Sequence, residues 1–147
     1  MSTPDLELLR AKLVGMPLPG GSFEVPAYRA WISHAAMNSP PIPAGTLHPV
    51  WILLGSLQGM GVPMDYFAHL VAADPSTAVL GEITVEQYRV LEDSRTYSVV
   101  GRISNVERRR GRRGMLDFLD FQLEVFDAEQ RVASSTQTFI FPRQDTA

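Results

Sequence analysis

The chain has no cysteine, and that absence excludes disulfide scaffolds, thiolate nucleophiles and zinc–cysteine sites together. Lysine is nearly missing as well, with one lysine, Lys12, in a chain whose other basic residues are all arginine. Histidine occurs three times, as His34, His48 and His69, with no Asp or Glu beside them at ligand spacing, so neither a metal site nor a cofactor is expected. A net charge of −3 argues against general affinity for nucleic acid. No apolar run is long enough to cross a bilayer, because the most apolar stretch is interrupted by Gly55, Gly59, Gly61 and Pro63. The first residues (MSTPDLELLRAKLVG) lack the basic start and apolar centre of a secretory signal, so a cytoplasmic protein with no membrane partner is expected. Ser33, Ser39 and Ser56 have no Gly-x-Ser-x-Gly surroundings, which excludes the familiar serine nucleophile.

What is present is an ordinary globular composition. The chain has 147 residues, 45% hydrophobic and 20% charged, enough for one domain over 1–147 with 1–21 as a helix and loop extension. Residues 47–72 (LHPVWILLGSLQGMGVPMDYFAHLVA) form its centre. Only Asp65 is acidic there, and Leu53, Leu54 and Leu57 repeat at helical spacing. A helix apolar on most sides is expected to be buried, here over about residues 48–58, followed by a short second helix through Tyr66–Ala73.

The preceding chain reads as a helix over Pro4–Leu13, a loop at Gly15–Gly21, a short strand at Ser22–Val25 and a helix over Ala27–Met37. That last helix gathers Tyr28, Trp31, Ile32 and Ala35 on one face. Residues 38–46 (NSPPIPAGT) hold three prolines and cannot be regular. After a turn at 74–76 the chain reads as strands: 79–91, 97–106, 115–126 and 131–141, with residues 107–114 (ERRRGRRG) as a hairpin connection. Leu119, Phe121, Leu123 and Val125 alternate with Phe118, Asp120, Gln122 and Glu124, so the first set is predicted to face the central helix.

A helix, a loop, a buried helix and a meander of long strands together resemble the hot-dog fold, an α+β architecture in which an antiparallel sheet wraps around a central buried helix. Within that fold the chain resembles the MaoC-like (R)-specific enoyl-thioester hydratases and dehydratases over roughly Phe23 to Arg143. The residues carrying the likeness are the His-led entry AGTLHPVW, the strand end Tyr88–Arg89–Val90–Leu91, the hairpin with Arg110–Gly111 and Gly114, and the close Phe141–Pro142–Arg143.

That resemblance implies an Asp-x-Asn-Pro-x-His run before the central helix, whose carboxylate and imidazole hold the water that adds across the enoyl thioester. Matched to residues 36–41 (AMNSPP), Asn38 agrees, but Ala36 stands for the Asp and Pro41 for the His. The alternative hot-dog pattern, a His-Phe-Pro loop with a helical Glu, is absent too, with Leu54 near the Glu position. The acid–base pair is therefore missing. The implied function is an acyl-CoA or acyl-carrier-protein thioester-binding subunit that partners a catalytic hot dog. Two alternatives stay open: a hydratase, dehydratase or thioesterase using His48 or His34 with Asp65 or Glu82, and a homodimeric scaffold. In each case a homodimer or heterodimer, sheet edge to sheet edge, is expected.

Candidate substrate-binding residues are His48 at the start of the buried helix, where free N–H groups favour a carbonyl oxygen or anion, His34 on the preceding helix, off its apolar face and within reach of the same loop, and Asn38 and Gln58 as polar groups in apolar surroundings. Each also has a structural reading: a cap or packed imidazole for His48, a solvent- or hairpin-facing imidazole for His34, and amides bonded to loop backbone for Asn38 and Gln58. Arg108, Arg109, Arg110, Arg112 and Arg113 either contact the phosphates of coenzyme A or a carrier protein, or simply solvate a hairpin tip.

Overall fold

The alternating pattern late in the chain produces three long strands joined as a meander. The structure, a computed structural model, describes residues 2–143. In chain order it contains α1 (Leu6–Leu13), β1 (Gly21–Glu24), α2 (Ala27–Ala36), α3 (Val50–Gly59), α4 (Tyr66–Leu70), β2 (Val79–Gln87), β3 (Thr96–Gly111), β4 (Gly114–Asp127) and β5 (Gln130–Pro142). The strands make one antiparallel sheet in the order β1-β3-β4-β5-β2. Its inner face closes on α3, so the expected architecture, a sheet around a buried helix, is the observed one.

The predicted register of β4 is the observed one. Leu119, Phe121, Leu123 and Val125 are fully buried, while Asp120 and Gln122 lie on the other face. Phe121 stacks between Phe67 of α4, at 4.4 Å, and Phe139 of β5, at 5.4 Å. In β3 the buried residues Tyr97, Val99 and Ile103 share one face, and a bulge between Ile103 and Asn105 shifts the later register to bury Val106.

Three expectations are corrected. The hairpin after β3 is tighter than residues 107–114: pairing continues to Gly111 opposite Gly114, which leaves Arg112 and Arg113 as a two-residue turn. The strand begun at Val79 stops at Gln87, because the amides of Tyr88 and Arg89 both turn to the carbonyl of Val132. The buried stripe of α3 is Trp51, Ile52, Gly55, Ser56 and Gly59, with Leu54 exposed and Leu53 and Leu57 half-buried. Close approach explains this choice of face. A Cβ on Gly55 would lie 2.3 Å from the Phe23 ring of β1, and one on Gly59 would lie 2.6 Å from Val99 of β3. The helix therefore sits on its glycines, with Leu53 and Leu57 at the margin of the contact and Leu54 outward.

Helix α2 shows the same inversion. Ala30 is its one buried residue, whereas Tyr28, Trp31 and Ile32 are 67%, 72% and 53% exposed. Its apolar face points away from the chain's own core. Asp5 caps α1 by accepting the Leu8 amide at 3.2 Å, as an acidic residue at a helix start should. No helix among the described residues is long and apolar enough to cross a membrane.

Candidate functional site

The entry to α3 is built from a proline-rich loop that other segments hold in place. The Leu47 amide donates to the Leu91 carbonyl at 2.8 Å, and Thr46 makes a β-bridge with Glu92. Pro49 follows, where a missing N–H leaves nothing unsatisfied at a helix start. The amide of Val50 would still be free, and His48 takes it: Nδ1 accepts that N–H at 3.0 Å. A neutral imidazole accepting at Nδ1 carries its proton on Nε2. Half-buried His48 thus presents an N–H donor at the positive end of α3.

His34, at the end of α2, lies beside it. The two rings are 6.1 Å apart between centroids and inclined by 58°. His34 Nε2 is buried and has no hydrogen-bond partner. The two helices are joined next to this pair by Trp51, whose Nε1 donates at 3.1 Å to Ser33 Oγ, which itself donates to the Ala30 carbonyl. The structure therefore brings His34 and His48 together, as two imidazoles beside a helix N-terminus.

The other sequence-predicted residues lie elsewhere or are already occupied. Asn38 is exposed with φ 51°, and follows α2 as its left-handed terminator: its amide bonds the Ala35 carbonyl and the Ser39 amide bonds the His34 carbonyl. The expectation that Gln58 sits in apolar surroundings is corrected. It is exposed, because α3 buries its glycine face and Gln58 falls off that face. Neither displaced carboxylate reaches the imidazoles. Asp65 lies 3.7 Å from His69 on α4, and Glu82 is exposed on β2. Among the described residues no group of three His, Asp or Glu is placed to hold a metal ion.

The arginines separate into two kinds. Arg108 is a buried-pair residue, donating from Nε and Nη2 to the Asp117 carboxylate at 2.6 and 3.0 Å and from Nη2 to the Pro4 carbonyl. Arg109 pairs with Glu107 and lies over the Phe118 ring at 5.0 Å. Arg110, Arg112 and Arg113 are exposed at the hairpin tip. That tip is at the far end of β3 from Thr96, near which the loop bearing Leu91 and Glu92 meets His48's segment. About 50 Å of extended strand lies between, so the structure does not join the arginines to the histidines.

The geometry also moves the motif comparison. Ala36 is the last residue of α2, well upstream of α3, so residues 36–41 close α2 and do not lead into the buried helix. The run that does lead in is Thr46–Leu47–His48–Pro49–Val50–Trp51, with its proline where the Asp-x-Asn-Pro-x-His run has one. Thr46 then stands for the Asp, His48 for the Asn and Trp51 for the His. Thr46 Oγ1 donates to the Pro43 carbonyl at 2.6 Å, and Trp51 is buried and tied to Ser33. Both acid–base groups are absent in this register as well.

Neither a known family description nor a curated protein matches the chain. Solved structures do. A chain of the ChsH1–ChsH2 complex from Mycobacterium tuberculosis superposes with a TM-score of 0.72 at 13% identity, over 97% of this chain and 96% of that one. The chain has the hot-dog fold. A MaoC-like dehydratase superposes with a TM-score of 0.66 at 16% identity over 91% of this hot dog, which spans 43% of that longer chain. The F36A variant of the fluoroacetyl-CoA-specific thioesterase FlK, in complex with fluoroacetate and CoA, gives 0.60 at 17% identity, over 88% of this chain and 94% of that one. At these identities the likeness is one of fold.

Two polar groups are buried inside this hot dog, of which sequence reading passed over Gln137 and weighed Ser56 only as a nucleophile. Gln137 is wholly buried on β5, its Nε2 donating to Ser135 Oγ at 2.9 Å and its Oε1 unpartnered. Ser56 is buried on α3 and donates to the Leu53 carbonyl. The signal for Gln137 was available, since it shares its strand parity with Ser135, Phe139 and Phe141.

Proposed function

We propose that this hot dog binds an acyl thioester, on coenzyme A or a carrier protein, and serves as the non-catalytic partner of a hydratase or dehydratase subunit with the same fold. The observation that carries the reading is the pair Thr46 and Trp51 in the positions of the acid and base, with the indole packed and hydrogen-bonded where an imidazole would have to face water. Hydration of an enoyl thioester needs a base for the water and an acid for the α-carbon. His48 offers one donor, suited to the thioester oxygen beside the α3 N-terminus, and His34 offers a second imidazole without a carboxylate to orient it.

The test has two arms. Thermal unfolding with and without CoA thioesters should show stabilisation, because a ligand binding only the folded state raises stability by about 2.7 kcal/mol at a hundred times its Kd. Turnover of crotonyl-CoA by the protein alone should equal the blank, since a single positioned proton-transfer group is worth about 10²–10⁴-fold and both are missing. The runner-up is an enzyme using the His34–His48 pair, favoured by the unpartnered Nε2 of His34. It wins if the purified protein turns over a thioester and His48→Ala abolishes that turnover. A scaffold without an acyl ligand wins if no thioester stabilises the protein.

A further inference from the structure

The inner face of β5 carries a polar pair where the strands on either side are apolar. Ser135 and Gln137 are both fully buried. Their partners across the sheet are Leu123 and Phe121 on β4, and Val85 and Ile83 on β2. Gln137 Nε2 donates to Ser135 Oγ at 2.9 Å, and Gln137 Oε1 is left without a partner. Turning the amide over would set Oε1 against Ser135 and leave Nε2 unpartnered instead. In either orientation one end of a buried amide lacks its hydrogen bond, a costly state in a native core. An apolar side chain of the same size would fill the place without that deficit.

The approach to this amide is from β2. Directly paired residues on neighbouring antiparallel strands stand about 4.5–5.5 Å apart at Cβ. Ile83 and Val85, opposite Gln137 and Ser135, are 38% and 37% exposed. A ligand lying over these two side chains has an apolar floor and comes within a side chain's length of the amide. The position of His48 sets where its thioester end would lie. The Leu47 amide bonds to Leu91, just beyond the end of β2, and Gln87 at that end pairs with Ala133. From Gln87 to Ile83 the strand covers about 13 Å. At about 1.2 Å per bond, an extended acyl chain held at His48 needs about eleven bonds to cover that length. A hydroxyl beside the thioester does not reach Gln137.

We infer that Gln137 selects a long acyl group bearing a hydroxyl near its far end. A hydroxyl both donates and accepts, so it satisfies the amide in either orientation, whereas a keto oxygen only accepts and an alkyl chain does neither. The inference rests on the acyl-thioester reading above and adds the class of acyl group.

Isothermal titration calorimetry of the wild type with dodecanoyl-CoA and ω-hydroxydodecanoyl-CoA reads the preference directly. The isomer hydroxylated at the β-carbon is the control for a hydroxyl close to the thioester. The ω-hydroxy thioester should bind at least about tenfold more tightly than the other two, because a site that bonds a hydroxyl rejects the analogue without one. Gln137→Leu should abolish the preference, losing affinity for the ω-hydroxy thioester while keeping or gaining affinity for dodecanoyl-CoA. Gln137→Met, unbranched and of similar length, is the second variant, and circular dichroism checks that each is folded. A preference that survives in either folded variant overturns the inference. Equal binding of all three probes to the wild type also overturns it and leaves the acyl-thioester reading standing, whereas binding of none overturns both.

Discussion

His48 and Trp51 stand three residues apart and are expected to answer differently to the same substitution. His48→Ala removes the acceptor for the Val50 amide, a hydrogen bond worth about 0.5–1.5 kcal/mol, and with it the donor proposed for the thioester oxygen. Urea unfolding should record a loss of that size, and CoA-thioester stabilisation should weaken beyond it. Trp51→Ala empties a buried indole site and should cost about 3–5 kcal/mol. A loss near 1 kcal/mol would mean that the indole is not the packed strut between α2 and α3. At this scale the sequence was partly legible. The motif register was read from sequence alone, and counting back from α3 moves it from residues 36–41 to residues 46–51, with Thr46 and Trp51 at the Asp and His positions. Asn38 and Gln58 were expected in apolar surroundings and are exposed, because residue type alone does not reveal a left-handed helix terminator or the outer side of α3. Arg108 looked like its neighbours in the basic run until its place opposite Asp117 on β4 was known.

The helices show why an apolar face is not the same as a buried one. Period-two alternation settled β4, since one of its faces must meet the core, whereas β5 is buried on both faces from Val132 to Ser135. Helix α3 has apolar or small residues almost all round, so hydrophobicity alone left its orientation undetermined. Distance settles it, because Phe23 and Val99 approach closely enough that only glycine fits at 55 and 59. Gly55→Ala is therefore expected to destabilise. Overpacking against the buried Phe23 ring costs about 1–3 kcal/mol, against a helix-propensity gain of at most about 1 kcal/mol. A rise in the denaturation midpoint would show that the ring can move aside and that the glycine face is incidental. Helix α2 turns Tyr28, Trp31 and Ile32 to solvent; their spacing is equally that of a core stripe or a subunit interface, and an exposed aromatic face of this kind suits the latter.

Across the whole molecule, one buried carboxylate ties together segments that are distant in sequence. Asp117 on β4 is fully buried between Arg108 of β3 and Arg143 after β5. Arg108 reaches the Pro4 carbonyl, and Arg143 reaches the Val71 and Ala72 carbonyls behind α4. The N-terminal segment, the hairpin, α4 and the last strand thus meet at one charge. Burial pushes the Asp117 carboxyl up, but the hydrogen bonds and charges of Arg108 and Arg143 more than reverse this and hold it below the ordinary carboxylate range. A depressed folded-state value means that the unfolded chain binds this proton first. The stabilisation is therefore complete above about pH 5 and is lost as pH falls from about 4 through the folded-state value. Asp117→Asn leaves two guanidiniums, one nearly and one largely buried, without their counter-charge, and should cost about 3–5 kcal/mol at neutral pH. The variant should also lose part of the wild type's acid sensitivity, so the two stability curves should converge below about pH 4. Parallel curves from pH 7 to pH 3 would show that Asp117 releases no stabilisation on protonation, and the hold on α4 and the N-terminal segment would then have to come from packing of Phe67 and Leu9 alone.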